Sequence, residues 1–441
     1  MRSWRGVGLV TGWQSTASLC FYAVFAATAA IRDGFGVSRA LVGLAATAAL
    51  LGYTAGLFPA GAIVDGYGER PAMVAGLLGL ALAVAGVAVA PTYPLLLVAL
   101  ALVGVAYATA MPATNRAVLA VAPLGHRNLA MNVKQVGVTA GSGASALLVT
   151  AAVATTGSYA GGFLAAGAVA TLVAVAFAVG YGGTSEGTAD ARTTDAGSAD
   201  TDATREGARQ PDGETDRDGP TDPGTGDEPG RGVTVPDPRR VLQLPGVGTL
   251  VAAGFFFGAA VFSTTAYVVL HVTESVGASA AFAGAVLAGV QVTGSAGRIG
   301  AGALADRLPG PASRSTAGVL VGQAVLAAVA FAVVPLAGTR WTAAAAFGAL
   351  GLFILGFPGT YYACLTALVP DERVGAATAG GQTALNLGGL LAPPAFGLLV
   401  DATGYGPGWL ALGACALAAG ALVAPVALGR GAGQAGEPAE A

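Results

Sequence analysis

The chain has 441 residues, of which 54% are hydrophobic and only 10% charged, with 69 glycines. A soluble domain carries roughly 25% charged residues, so the composition excludes a water-soluble globular protein and points to a polytopic membrane protein. The formal charge of −3 hides an uneven distribution: residues 183–240 hold 14 of the 24 acids and 7 of the 21 basic residues, leaving the apolar remainder slightly basic.

Apolar runs of about 20 residues, the length needed to cross a bilayer, fall at 9–31, 40–60, 72–91, 94–114, 128–153 and 159–181. They resume at 244–270, 280–304, 315–336, 341–366, 374–400 and 407–428. Arg2 and Arg5 before the first run, and Ala27-Thr28-Ala29 near its end, imitate a secretory leader. That run is long enough to span, and more spans follow, so it is read as the first of them. Six plus six spans is the count of a duplicated six-helix bundle. The expected organisation is an N-terminal bundle over 1–182, a linker over 183–240, a C-terminal bundle over 241–430 and a tail over 431–441. The linker is Gly, Ser, Thr, Asp, Pro and Arg with almost no large apolar side chains, so it cannot bury enough surface to offset the entropy of ordering and is predicted to be a disordered acidic tether.

Arginine bias sets the orientation. With both termini in the cytoplasm, the inner side receives Arg2, Arg5, Arg70, Arg116, Arg127, Arg307, Arg314, Arg373 and Arg430 as well as the linker, and the outer side only Arg32, Arg39 and Arg340. The expected location is the plasma membrane, with the lipid bilayer as partner, no nucleic-acid partner, and a monomer as the working unit. Cys20, Cys364 and Cys415 lie far apart in apolar segments and two histidines cannot build a metal site alone, so no metal or other cofactor is expected. No nucleophile-base pair or phosphate loop is present, which argues against an enzyme.

The two bundles carry a repeat. Between spans two and three stands Gly61-Ala-Ile-Val-Asp65-Gly-Tyr-Gly68-Glu-Arg70, and between spans eight and nine Gly302-Ala-Leu-Ala-Asp306-Arg307-Leu-Pro-Gly310. The glycine permits close helix approach, and an aspartate at a helix end can meet a neighbouring helix N-terminus or an arginine such as Arg116. This pair of motifs, with twelve spans and a long central loop, closely resembles the major facilitator superfamily, whose motif reads roughly Gly-x-Leu-Ala-Asp-Arg-x-Gly-Arg-Arg. The second copy matches through Gly302, Leu304, Asp306 and Arg307; the first departs at Gly66 and Glu69. The resemblance implies an all-α membrane fold of two pseudo-symmetric six-helix bundles, a central site opened to one side at a time, and a gating role for Gly61, Asp65, Arg70, Arg116, Gly302, Asp306 and Arg307.

Two charges lie deep in the apolar segments. Lys134, the only lysine, sits in span five within Asn132-Val133-Lys134-Gln135-Val136-Gly137, and Arg298 sits in span eight. A charge at bilayer depth costs at least ~2.5–3.5 kcal/mol. At 1.5 Å per residue both lie roughly 10–12 Å from the inner face. Lys134, Gly137 and Gly141 share one helical side, as do Gln291, Ser295, Arg298 and Gly302, and such small or polar stripes mark protein-facing surfaces. Snorkelling is the alternative for Lys134, and binding of carbonyls or of Asp306 the alternative for Arg298. Gln14, Ser18 and Tyr22 form a further stripe on span one, and Thr378, Gln382 and Asn386 on span eleven, ahead of Pro393-Pro394, which is expected to bend the helix. Phe255, Phe262, Tyr267, Phe357, Tyr361 and Tyr362 supply aromatic walls from spans seven and ten.

The ten acids outside the linker all fall in loops, helix ends or the tail. No mid-membrane carboxylate is available to neutralise Lys134 and Arg298, and a buried unpaired cation is costly, so the partner is expected to arrive with the substrate as an anion. The Lys-Gln-x-Gly-x-x-x-Gly pattern of span five resembles that of cyanate and nitrate/nitrite-type porters. Arg298 followed by Gly300, Gly302 and Asp306 resembles monocarboxylate and oxalate/formate carriers, without the aspartate those carry at the position of Gly294. The expected function is secondary transport of a small inorganic or organic anion. The candidate substrate residues are Lys134, Arg298, Gln135, Gln291, Gln14, Tyr22, Gln382, Asn386 and Tyr361. Efflux of hydrophobic drugs or metabolites, and a non-transporting sensor that signals through the linker, are the alternatives.

Overall fold

The computed structural model describes residues 3–124, 126–181, 242–370 and 373–430, and every element in them is helical. The expected linker and tail lie outside the described residues. Span one is a bent pair, Trp4–Ala26 and Thr28–Phe35, turned by 49°. Spans two to six are Arg39–Tyr67, Glu69–Ala88, Tyr93–Val121 (broken at Ala108 and Thr109), Arg127–Thr156 and Ala160–Gly180. Spans seven to nine are Val247–Glu274, Ala280–Arg307 and Ala312–Leu336, and spans eleven and twelve are Val374–Thr403 and Tyr405–Ala427. Span ten, Arg340–Thr366, changes from α to π winding over Gly351–Leu355 before resuming at Phe357. Most helices overrun the apolar windows read from the sequence by several residues, because a hydropathy window ends where the hydrocarbon ends and a helix continues into the interface.

The duplication is visible in how the helices start and cross. Spans two and eight are both entered through Gly-x-Ser: Gly36 and Gly277 take φ of 61° and 67°, open to glycine without penalty. Ser38 Oγ and Ser279 Oγ then accept from the amides of Leu41 and Phe282 at 3.3 Å as N-caps. Within each half, equivalent pairs cross with their backbones in contact. A Cβ added at Gly52 of span two would lie 1.9 Å from Ala101 O of span four, and one at Gly297 of span eight 1.9 Å from Leu352 O of span ten. Likewise Gly141 of span five faces Ser15 O of span one at 2.1 Å, and Gly388 of span eleven faces Phe255 O of span seven at 1.9 Å. In lipid, where no hydrophobic force drives helix to helix, such small-residue crossings let dispersion and backbone contacts hold the bundle.

The two halves meet along spans two and eleven and along spans five and eight. Span eleven is one continuous helix through Pro393 and Pro394. Pro394 has no N–H, so the carbonyl four residues back lacks its helical donor; that carbonyl, Leu390 O, accepts from Thr47 Oγ1 of the other half at 2.7 Å. The Tyr267 hydroxyl is shared between Arg39 O (2.6 Å) and Pro393 O (2.9 Å). At the same end Glu274 pairs with Arg32 at 2.9 Å and with Arg39 at 2.8 Å, Arg39 reaches Asp401 at 3.3 Å, and Tyr405 donates to Glu274 at 2.8 Å. Among the described residues, every hydrogen bond and ion pair between the halves lies between this end and the Asn386 to Thr54 bond at 3.2 Å. The Arg39 end is closed, and at the end bearing Asp65 and Asp306 no hydrogen bond or ion pair joins the halves among the described residues.

Candidate functional site

Below the Asn386 to Thr54 contact the halves part around a cavity of about 250 Å³. Spans one, two, four and five line it from one half and spans seven, eight, ten and eleven from the other. Arg298 is the one charged side chain on its described wall. The crossing of spans eight and ten puts it there. Gly294 faces Leu355 Cβ, Gly297 faces Leu352 O, and a Cβ at Gly356 would lie 2.9 Å from Gly297 C. With the backbones this close, the next side chain outward on span eight is pressed against span ten and directed along its surface into the cavity. Arg298 Nη2 donates to Leu355 O at 3.4 Å, a carbonyl beside the break in the helical ladder at Gly356, while its buried Nε has no partner among the described residues. The same crossing crowds position 294, where an added Cβ would lie 2.6 Å from Leu355 Cβ.

Of the residues singled out in the sequence, Tyr22, Gln135, Gln291, Arg298, Gln382 and Asn386 come together on this wall. Gln382 accepts from Tyr362 OH at 2.5 Å and donates to Asn386 at 2.8 Å, so the polar stripe of span eleven is held rigid from the span-ten side. Gln135 Oε1 is buried without a partner among the described residues. Three candidates lie elsewhere. Tyr361 is fully buried inside the C-terminal half, packed edge to face among Phe257, Phe357 and Tyr362. Gln14 is buried in the N-terminal half, donating to Ser18 and Tyr107 and accepting from Thr114. Lys134 is fully buried and donates to Asn115 Oδ1 of span four at 2.7 Å. Its face of span five packs on span one, where Gly137 meets Thr11 O and Gly141 meets Ser15 O, and the next residue round, Gln135, reaches the cavity. The stripe read from the sequence is protein-facing, but it faces the helix of its own half.

Sequence reasoning missed Asn115, the neutral partner that lets Lys134 stay inside. It also missed Tyr53 and Tyr107, whose rings form a shelf with Phe21: Phe21 stacks on Tyr107 at 4.3 Å and tilts against Tyr53 at 5.8 Å. A single tyrosine in each of the apolar windows 40–60 and 94–114, which are mostly Ala, Leu, Gly and Val, was the available signal. The Asn115 contact is testable. An uncompensated hydrogen bond to a charged group is worth about 1.5–3 kcal/mol, so Asn115→Leu is expected to lower the melting temperature in detergent. Pairing it with Lys134→Met removes the stranded ammonium and is expected to recover most of the loss.

The ion pairs of the first motif copy among the described residues fall within its own half. Arg116 Nε sits 3.2 Å from Glu69 and Arg116 Nη1 4.0 Å from Asp65, so the closer partner is the glutamate by which this copy departs from the superfamily motif. Arg70 donates to Ala178 O of span six. In the second copy Asp306 and Arg307 are exposed. The close approach expected at the motif glycines is corrected: a Cβ at Gly61 or Gly302 would have nothing within 4 Å. Both lie at the end where the halves stand apart, and the tight crossings fall to Gly52 and Gly297.

Two helical halves around a cavity closed at one end define a secondary transporter. The chain belongs to the major facilitator superfamily, whose family model matches residues 14–362 and 250–440. Its fold is that of a bacterial homolog of the human lysosomal transporter Spinster, crystallised inward-facing and occupied, with a TM-score of 0.70 over 97% of this chain and 98% of the other at 14% identity. The unoccupied inward-facing form of a bacterial homolog of Spinster gives 0.65 at 16% identity, over 97% and 95% of the two chains. No curated protein matches the chain in sequence.

Proposed function

We propose that the chain moves a small anion by alternating access, with Arg298 as the cation that receives it. The observation that carries this reading is the single charge on the cavity wall, incompletely satisfied by one carbonyl and faced by no carboxylate among the described lining residues. A buried cation left in that condition is costly, and an anionic ligand supplies the missing partner. Lys134, tied to Asn115, then supports the wall that presents Gln135. The arginine bias supports a reading with both termini and the unbridged end on the cytoplasmic side of a plasma membrane, and on that reading the state is inward-facing. The motifs at Asp65 and Asp306 would act on the opposite closure.

Counterflow in proteoliposomes with labelled nitrate, formate, lactate and benzoate, alongside two neutral solutes, tests the proposal. Saturable exchange of at least one anion, lost in Arg298→Gln, is expected. Exchange of neutral solutes only, equal in both proteins, would sink it in favour of efflux of hydrophobic compounds, a reading that the aromatic shelf favours.

A further inference from the structure

The cavity holds more than a charge. Of its four tyrosines, two have their hydroxyls occupied: Tyr107 by Ser18 and Gln14, Tyr362 by Gln382. The hydroxyls of Tyr22 and Tyr53 make no hydrogen bond among the described residues, though both side chains line the cavity. Tyr22 belongs to span one and Tyr53 to span two, so both stand on the half opposite Arg298 and share the lining of the cavity with it. Behind these hydroxyls lies the ring shelf of Phe21, Tyr53 and Tyr107, with Phe262 and Phe357 on the facing wall.

We infer that the ligand is an organic monocarboxylate with an aromatic or bulky apolar body, its carboxylate bridging Arg298 of one half and the Tyr22 and Tyr53 hydroxyls of the other, its body on the Phe21 shelf. This rests on the anion reading and narrows it.

Three physical points support it. A carboxylate accepts through two oxygens and about four lone-pair sites, enough for a guanidinium and two phenols together. A single cation matches a single negative charge, since a second carboxylate would be left without a counter-charge in a low-dielectric site. The volume of about 250 Å³ is just below the ~300–1,000 Å³ usual for organic ligands, and its aromatic lining has nothing to offer a bare oxyanion such as nitrate. A ligand held from both halves binds most tightly when they close on it, which gives it the differential affinity needed to drive the change of state.

The test is saturation binding of labelled phenylacetate to the purified full-length protein in nanodiscs, with competition by phenylacetamide, formate and nitrate. Phenylacetate is expected to bind saturably, with the three competitors weaker by about tenfold or more, the loss of one charged hydrogen bond or of the ring contact being worth about that factor. Tyr22→Phe, which keeps the ring, is expected to weaken binding about tenfold. Arg298→Lys retains part of it and Arg298→Gln removes it, with thermal melting of each variant confirming that it folds. Formate or nitrate competing as well as phenylacetate would overturn the assignment of the body and leave the anion reading standing. Phenylacetamide binding equally, with Arg298→Gln harmless, would overturn the anion reading itself. Loss in Arg298→Gln with none in Tyr22→Phe or Tyr53→Phe would overturn the bridge, and absence of saturable phenylacetate binding would overturn the inference.

Discussion

Gly297→Leu is expected to abolish accumulation of folded protein. A Cβ at this position would lie 1.9 Å from Leu352 O and 2.8 Å from Leu352 C, and both are backbone atoms that cannot rotate aside. Overpacking against movable side chains costs about 1–3 kcal/mol. Here two helices must separate, which also displaces Gly351, Gly356 and the carbonyl that holds Arg298. Native proteins have only about 5–15 kcal/mol in hand. The measurement is the yield of the monodisperse peak in size-exclusion chromatography, with Gly300→Ala as the control three residues on, where an added Cβ meets nothing within 4 Å. Equal yields from Gly297→Leu and the control would mean that the span-eight and span-ten crossing is looser than the structure has it.

Glu274→Gln is expected to unlock the Arg39 end. Among the described residues Glu274 is the one acid that meets both Arg32 and Arg39 of the opposite half, and its side chain is 19% exposed against 30% and 26% for theirs. Removing one partner of a buried, hydrogen-bonded ion pair costs about 2–5 kcal/mol, and solvent screening at this part-buried cluster brings the figure to about 2 kcal/mol. At 1.4 kcal/mol per factor of ten this shifts the ratio of closed to open by about 30-fold. Asp401 stays bound to Arg39 through side chain and backbone and limits the effect. The readout is the distance between spin labels at positions 33 and 402, by pulsed electron resonance on a background lacking the three native cysteines. A longer population should grow in the variant. An unchanged distribution would mean that helix packing, such as Gly43 on Pro393, holds this end without help from the ions.

The sequence disclosed most of the architecture because bilayer thickness is a strong filter: a span must be about 20 apolar residues long, and its backbone must satisfy itself. Arg298 was legible as a residue that must face protein or water, since an arginine inside an apolar span is rare, and it lines the cavity. The alternation of polar residues on span eleven was legible too, and Gln382 and Asn386 reach the cavity together.

Lys134 marks where that legibility stops. Helical spacing correctly groups Lys134, Gly137 and Gly141 on one face, but spacing carries no information about which neighbour the face meets. The neighbour is span one, brought to within backbone contact at Gly137 and Gly141, and the ammonium is answered by Asn115 from span four. The Arg32, Arg39 and Glu274 cluster was hidden differently. These residues read as ordinary loop charges, and only the docking of the halves makes them a latch. By itself, then, the sequence determined the helices, their count and the duplication, because those depend on local composition and on the bilayer. Which faces meet, which polar groups answer one another and where the cavity opens were decided only by tertiary packing, because a helix presents several protein-facing sides and only the glycine-mediated crossings choose among them.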